Sequence, residues 1–263
     1  MSFKHIVSRD NPVFKHLKKL ADNARERRSE ELTLLDGVHL IEAYIAAFTE
    51  PELLIIPEGQ SSVEATGLIQ ALQHVATVML PTLMFAELTP VASATGVLAL
   101  VKIPQITLPT SPSFVLMLED IQDPGNLGSL LRTAAAAGVE AVYLTSSCTD
   151  AWSPKALRGG QGAQFVLPVK SRADLIVELD KFNGNSYATT MSGESLYEQD
   201  FTQATAFVIG NEGAGLRQQT IAATSKSITI PMAVTKLGRV ESLNAGAAAA
   251  VCLFERKRQT SQI

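Results

Sequence analysis

The sequence predicts an α/β protein in two parts. Short apolar runs of strand length alternate with helical patterns along the whole chain. A proline-rich stretch interrupts them near position 105. The runs beyond it are apolar without alternation, as in parallel strands covered on both faces. The chain has 263 residues, 46% apolar and 18% charged, which describes a folded protein with ample length for a core.

Residues 103–113 read Ile-Pro-Gln-Ile-Thr-Leu-Pro-Thr-Ser-Pro-Ser, and three prolines favour an extended linker. Domains are therefore expected over 1–105 and 106–263. In the first, Asn11 to Asn23 has helical spacing, with Val13, Phe14, Leu17 and Leu20 on one side. Leu32–Leu35 suits a strand, Val38–Phe48 a helix, Leu53–Ile56 a strand and Val63–Gln73 a helix. Val75–Leu80 and Val97–Val101 suit further strands. In the second, Phe114–Glu119 is an apolar strand, followed by a Gly-rich turn and a helix over Leu127–Ala137. Strands are expected at Ala141–Leu144, Phe165–Val169, Tyr187–Met191, Ala206–Ile209 and Ile228–Ile230. The last helix should run from Leu243 to Arg256.

The formal net charge is −4, so bulk charge does not announce a nucleic-acid binder. Its distribution is uneven. Residues 1–28 hold Lys4, Arg9, Lys15, Lys18, Lys19, Arg25, Arg27 and Arg28 against Asp10, Asp22 and Glu26. This is either a phosphate-facing patch or a solvated helix face. Cys148 and Cys252 form no CxxC pair or metal spacing, which suits a reducing cytosol, and both are expected to be buried small side chains. The N-terminal basic residues lead into no apolar stretch, and no run approaches the roughly 20 apolar residues of a bilayer span, so no signal peptide or membrane contact is expected. His5, His16, His39 and His74 all precede the linker, which excludes a Ser-His-Asp triad within the second domain. Neither G-x-G-x-x-G nor a P-loop is present.

Three segments carry the chemistry. Glu119-Asp-Ile-Gln-Asp-Pro-Gly-Asn-Leu-Gly-Ser-Leu-Leu-Arg132 sits where a strand ends and a helix begins, the usual ligand position in an open α/β sheet. Gly125 and Gly128 allow close backbone approach, and the helix start offers unpaired N–H groups. Arg132 interrupts an apolar run, so it should be paired or point into a site. Phe207-Val-Ile-Gly-Asn-Glu-Gly-Ala-Gly-Leu216 again runs from a strand into glycines, with Glu212 in the turn as ligand, base or helix-terminus charge. Ile230-Pro-Met232, then Glu241-Ser-Leu-Asn244, leads into an Ala-rich helix apolar nearly all round, suited to deep burial or a subunit contact. Ser242 and Asn244 also suit helix capping.

In order and spacing these segments resemble the three signature motifs of the SpoU/TrmH branch of the SPOUT methyltransferases. N-x-G-x-x-x-R, G-N-E-G-x-G-L and I-P-M … S-L-N before an Ala-rich helix form a specific combination, and the match covers the whole region after the linker. The first domain resembles, in layout and in Ser8-Arg-Asp-Asn-Pro12, the small ribosomal-protein-like RNA-binding domain often joined to these enzymes. The resemblance implies a SPOUT-type parallel-sheet domain with a deep trefoil knot, a homodimer with a shared site, and transfer of a methyl group from S-adenosyl-L-methionine to a ribose 2′-hydroxyl of RNA. By motif position, Thr190, Gly210, Ile230, Met232 and Leu243 should touch the cofactor. Arg132, Asn126, Glu212, Ser242 and Asn244 fall on catalytic or RNA-site positions. No metal is implied.

The expected RNA is ribosomal, 23S first, with transfer RNA second, in the cytoplasm. An RNA-binding homologue without catalysis, or a base-nitrogen methylase of the same fold, are the alternatives, and Ser242-Leu-Asn244 favours the ribose branch. Arginine stays protonated, so Arg132 is expected to orient the hydroxyl with a nearby phosphate and stabilise developing alkoxide charge, not to act as base. Residues 233–241, with Lys236 and Arg239, are longer than the family pattern and suit an RNA-contacting loop or a tolerated insertion.

Overall fold

Alternating side chains decide how the first part of the chain folds. In the computed structural model, which describes residues 3–59, 61–89, 96–235 and 238–261, it opens with β1 (Lys4–His5), α1 (Pro12–Asp22) and α2 (Ala24–Glu30). It continues with β2 (Leu32–Asp36), α3 (Val38–Ala47), β3 (Leu53–Pro57), α4 (Val63–Ala71), β4 (Thr77–Leu80), α5 (Thr82–Ala86) and β5 (Leu98–Lys102). The strands form one mixed sheet in the order β1-β4-β3-β5-β2, with β5 antiparallel to β2 and β3. Leu34, Ile55, Leu98 and Leu100 face one side with Phe14, Leu17 and Leu20 of α1. Leu35, Leu54, Ile56 and Ala99 face the other with Ile41, Tyr44 and Leu68. The period of two in the strands thus builds a core on each face.

Of the eight N-terminal cations, Arg9 pairs with Glu87, Lys15 with Asp10 and Lys18 with Asp22. Arg27 is buried and donates to the carbonyls of Leu20 and Ala21. Lys4, Lys19, Arg25 and Arg28 are exposed without an ion pair among the described residues. The patch is smaller than its composition suggests.

The second part contains β6 (Phe114–Leu118), α6 (Pro124–Ala137), β7 (Ala141–Leu144), β8 (Val169–Lys170), α8 (Leu175–Lys181) and β9 (Asn185–Ser195). The short helix α7 (Pro154–Gly160) falls between β7 and β8. Next come β10 (Thr205–Ile209), α9 (Gln218–Ala223), β11 (Lys226–Thr229), the antiparallel pair β12 (Val234–Thr235) and β13 (Gly238–Arg239), and α10 (Ala245–Thr260). The six main strands are parallel, in the order β11-β9-β10-β6-β7-β8. Val115, Met117, Ala206 and Val208 pack one face with α8. On the other, Phe114, Phe207, Tyr187 and Phe201 meet ring to ring. No described helix is long and apolar enough to cross a membrane.

The chain divides into two compact units, 1–105 with 152–165 and 106–151 with 166–263. Residues 152–165 therefore return to the first unit. Leu157 and Phe165 join its core, Phe165 stacks edge-on against Tyr44 and Phe48, and Arg158 pairs with the buried Asp36. This corrects the strand expected over Phe165–Val169. Ala163–Phe165 is a single 3₁₀ turn entered through Gly162 at φ +87°, and only Val169–Lys170 is strand. Pro168 has no N–H for a ladder. α10 is not buried all round in the single chain: Ala245, Ala249, Cys252 and Leu253 are buried, whereas Phe254 is 45% exposed.

Leu157→Ala should lower the stability of the first unit by about 2–5 kcal/mol through the cavity it leaves. Denaturant unfolding with hydrogen exchange would register faster opening of β2. An effect confined to the second unit would place the segment wrongly.

Candidate functional site

Four stretches enclose a cavity of about 580 Å³, two of them at the carboxyl ends of the parallel strands β10 and β11. They are residues 189–192, 209–216, 228–232 and 241–243, with Ala245, Ala248 and Cys252 of α10 behind them. This is where a parallel sheet offers a ligand its unpaired backbone groups.

The first stretch is an excursion from the ladder. Ser227 pairs with Ala188, but Ile228 pairs with Glu194, so residues 189–193 leave the sheet within β9. A Cβ on Gly193 would lie 2.6 Å from the Ser227 carbonyl oxygen, a close approach only glycine permits. Thr189 is tied back by a 3.0 Å hydrogen bond from its hydroxyl to the Val208 carbonyl, and the Thr190 hydroxyl donates to the Ser192 carbonyl.

The second stretch is a closed turn. Asn211 and Gly215 exchange backbone hydrogen bonds of 3.1 and 2.9 Å, and Gly215 takes φ +69°. A Cβ at Gly210 would fall 2.4 Å from the Gly215 carbonyl. The Asn211 side chain accepts from the N–H groups of Gly213 and Ala214, both at 2.9 Å. It donates to the carbonyl of Asp120 at 2.9 Å.

Glu119, next to Asp120 at the end of β6, secures the far end of the turn. Its buried carboxylate accepts from the Arg217 backbone N–H at 2.7 Å, from Arg217 Nε at 2.8 Å and from the Thr220 hydroxyl at 2.6 Å, and it pairs with Arg217 Nη2 at 2.7 Å. Burial acts to raise the Glu119 pKa, but the hydrogen bonds from Thr220 and Arg217 outweigh it and hold the group below its ordinary 4.5.

All five residues expected at a cofactor, Thr190, Gly210, Ile230, Met232 and Leu243, line this one cavity, as do Glu212 and Ser242. Asn126 reaches Glu212 with a 2.8 Å hydrogen bond from its side-chain amide, joining two expected site residues 86 positions apart. Asn126 stands in the first turn of α6, where Asp123 caps the helix and Pro124 follows, so the helix begins three residues before its expected start at Leu127. Asn244 caps α10 by accepting from the Ala247 N–H at 3.1 Å, and this shifts the helix start from Leu243 to Ala245.

Arg132 is exposed on α6, outside the cavity lining, and meets no carboxylate among the described residues. Of the two expectations for Arg132, an ion pair or a place in a site, the first is not met among the described residues, and the guanidinium is open to solvent. Lys236 lies outside the described residues. Cys252 forms part of the cavity wall, and burial pushes its thiol up to about 12. Cys148 differs from expectation. It is half-buried among polar partners, donating to the Leu118 carbonyl at 3.3 Å and accepting from the Ile121 N–H at 3.4 Å.

Glu119 and Asn211 hold the site together although the sequence motifs assign neither of them a role. For Asn211 the signal was present, an asparagine opening a glycine turn whose backbone it can cap. For Glu119 none existed, because its partners Arg217 and Thr220 lie 98 and 101 residues away.

The SpoU rRNA Methylase family profile matches residues 113–254. An uncharacterized tRNA/rRNA methyltransferase of Synechocystis is 34% identical, over 97% of this chain and 93% of its own. The 23S rRNA (guanosine(2553)-2′-O)-methyltransferase RlmP of Bacillus subtilis is 31% identical, over 95% and 98%. The crystal structure of an RNA 2′-O ribose methyltransferase superposes with a TM-score of 0.82 at 30% identity, covering 97% of this chain and 98% of the other. The SpoU methyltransferase AviRb from Streptomyces viridochromogenes, solved with the cofactor AdoMet, gives 0.77 at 26% identity, covering 95% and 98%.

Because its folded pKa is depressed, Glu119 stabilises the fold above the unfolded value of about 4.3, and that contribution disappears as pH falls through the folded value. Glu119→Gln should cost about 2–4 kcal/mol at neutral pH and flatten this acid limb. Denaturation midpoints of both proteins between neutrality and about pH 3 test it. Parallel curves would remove Glu119 from the account.

Proposed function

The chain belongs to the SpoU rRNA methylase family, and on that premise we propose that it is an S-adenosyl-L-methionine-dependent RNA 2′-O-ribose methyltransferase. The observation that carries the reading is the meeting of Thr190, Gly210, Ile230, Met232 and Leu243 around one cavity. The donor set suits the cofactor. Ile209, Leu216, Ile228 and Leu243 would offer apolar walls, the glycine turn exposes backbone groups, and Thr190, Glu212, Glu241 and Ser242 would offer polar contacts to its hydroxyl, amino and carboxylate groups. When bound, S-adenosylmethionine supplies an electrophilic methyl group.

The remaining chemistry belongs to the chain. Arg132 stands exposed and unpaired among the described residues, ready to hold an RNA phosphate and the ribose hydroxyl. It stabilises negative charge as the hydroxyl oxygen takes up the methyl group and its proton passes to solvent, and it stays protonated throughout. Glu212 and Asn126 hold one another and thereby link the cofactor turn to the helix that carries Arg132. Ser242 lies on the cavity wall and Asn244 fixes the start of α10 beside it. Much of the rate then comes from alignment.

The substrate is 23S ribosomal RNA, with transfer RNA as the alternative. The Bacillus relative is named for the first, the Synechocystis relative for both. Domain 1–105 serves as a ribosomal-protein-like RNA-binding domain and 106–263 as the SPOUT domain. Support for the first comes from its own two-faced sheet and from full-length superposition on a relative. The SPOUT domain carries a deep trefoil knot at its C-terminus. Cavity segments distant in sequence that close on α10 support that threading. The enzyme works as a cytoplasmic homodimer. Val240, Leu243 and Phe254, exposed on and before α10, supply apolar surface for the second subunit.

Methyl-labelled S-adenosylmethionine and total RNA from a strain lacking the protein should yield labelled 2′-O-methyl nucleosides, and Arg132→Ala should reduce the label at least about a hundredfold. Label on a base would overturn the ribose assignment. No label, with no cofactor binding by calorimetry, would favour an RNA-binding homologue.

A further inference from the structure

Asn211 does more than close its own turn. Its Oδ1 accepts from Gly213 and Ala214 inside the turn, while its Nδ2 reaches 2.9 Å across to the Asp120 carbonyl and 3.4 Å to Asp120 Oδ2. The four polar contacts use both ends of the amide, so neither Asp nor Ser can reproduce them. Asp120 itself sits at φ +57°, in the left-handed region that aspartate enters more readily than most residues. Its carbonyl is aimed at Asn211 from that conformation, and its N–H is satisfied separately by the Thr145 hydroxyl at 3.1 Å. The backbone is thus fixed by hydrogen bonds on both sides at the point where it meets the cofactor turn.

On the other side of the turn the Glu119–Arg217 pair provides a second fastening. Residues 119 and 120 therefore grip residues 211 and 217, the two ends of one wall of the cavity.

We infer that Asn211 is a positioning residue for cofactor binding, acting through its hydrogen bond to the left-handed Asp120. The inference rests on the methyltransferase reading above. Without the bridge the turn keeps its internal hydrogen bonds but is released from β6, and the backbone of Gly210 to Leu216 no longer presents one fixed surface to the ligand.

Asn211→Asp separates the two functions of the side chain. The new carboxylate still accepts from Gly213 and Ala214, but at neutral pH it cannot donate to Asp120. The charged groups around it are Asp120 itself, the adjoining Glu212 and the flanking Glu119–Arg217 pair. Acidification toward the carboxylate range restores a donor as the group takes up a proton, with the neighbouring carboxylates favouring uptake and the two backbone N–H bonds opposing it.

The test is calorimetry with S-adenosylmethionine at neutral pH and near pH 5, below each variant's melting temperature. Wild type should bind at both. Asn211→Asp should bind at least about tenfold more weakly at neutral pH and recover part of the loss on acidification. Asn211→Ala should be weakened without recovery. A folded Asn211→Asp that binds within about twofold of wild type at neutral pH, or shows no recovery in acid, overturns the inference. Should Asn211→Ala fail to fold, the Asp variant alone decides. Wild type that binds no S-adenosylmethionine overturns the methyltransferase reading, and this inference with it.

Discussion

Glu119 directly follows the central strand β6 with its side chain 2% exposed, and it keeps its charge there because Arg217 and Thr220 meet it with hydrogen bonds and an ion pair. A buried carboxylate without such partners would be protonated or would destabilise the fold. The partners lie immediately beyond the glycine turn that walls the cavity. The electrostatic requirement of one buried group therefore places a loop that has no hydrophobic core of its own. Arg217 is two-thirds exposed, so the pair is screened on one side. Its strength comes from the buried partner and the multiple bonds, not from bare Coulomb attraction.

The rest of the site is built mainly from backbone. Gly210 permits the turn to close on Gly215, and Gly193 permits the excursion from β9 to pass the Ser227 carbonyl. A wall of main-chain groups loses little entropy when a ligand binds, since its hydrogen-bonding partners are already ordered. The charged side chains are few: Glu212 at the cavity, held by the Asn126 amide, and Arg132 exposed on α6. The parallel sheet brings these together because β9, β10 and β6 are neighbours and all three release their chains at the same edge.

The strands β6, β7 and β10 were legible because a fully buried strand needs an unbroken apolar run, and these have one. The apolar runs at Leu32–Leu35 and Leu53–Ile56 marked the strands, and their successive side chains fill the two faces of the first sheet. Phe165 was misread as strand because its apolar neighbours look the same whether they join the second sheet or return to the first unit's core, and the choice depends on Tyr44 and Phe48. The short α2 escaped notice because its residues are polar apart from Ala24, and the one buried there is Arg27. The excursion at 189–193 left no mark on a pattern of period two. Within the site, the turns and glycines could be argued from local chemistry. The five residues expected at the cofactor rest on resemblance, since what unites them is closure of the chain around a cavity, and periodicity carries no information about that.

The central claim is that turns held at the end of β6 and its neighbours form a single S-adenosylmethionine site. Hydrogen exchange read by mass spectrometry, with and without the cofactor, tests it most directly. The account predicts slowed exchange in residues 189–192, 209–216, 228–232 and 241–243, with the first unit unchanged. Protection centred on the first unit, or none in the 209–216 turn while the cofactor is bound, would contradict it.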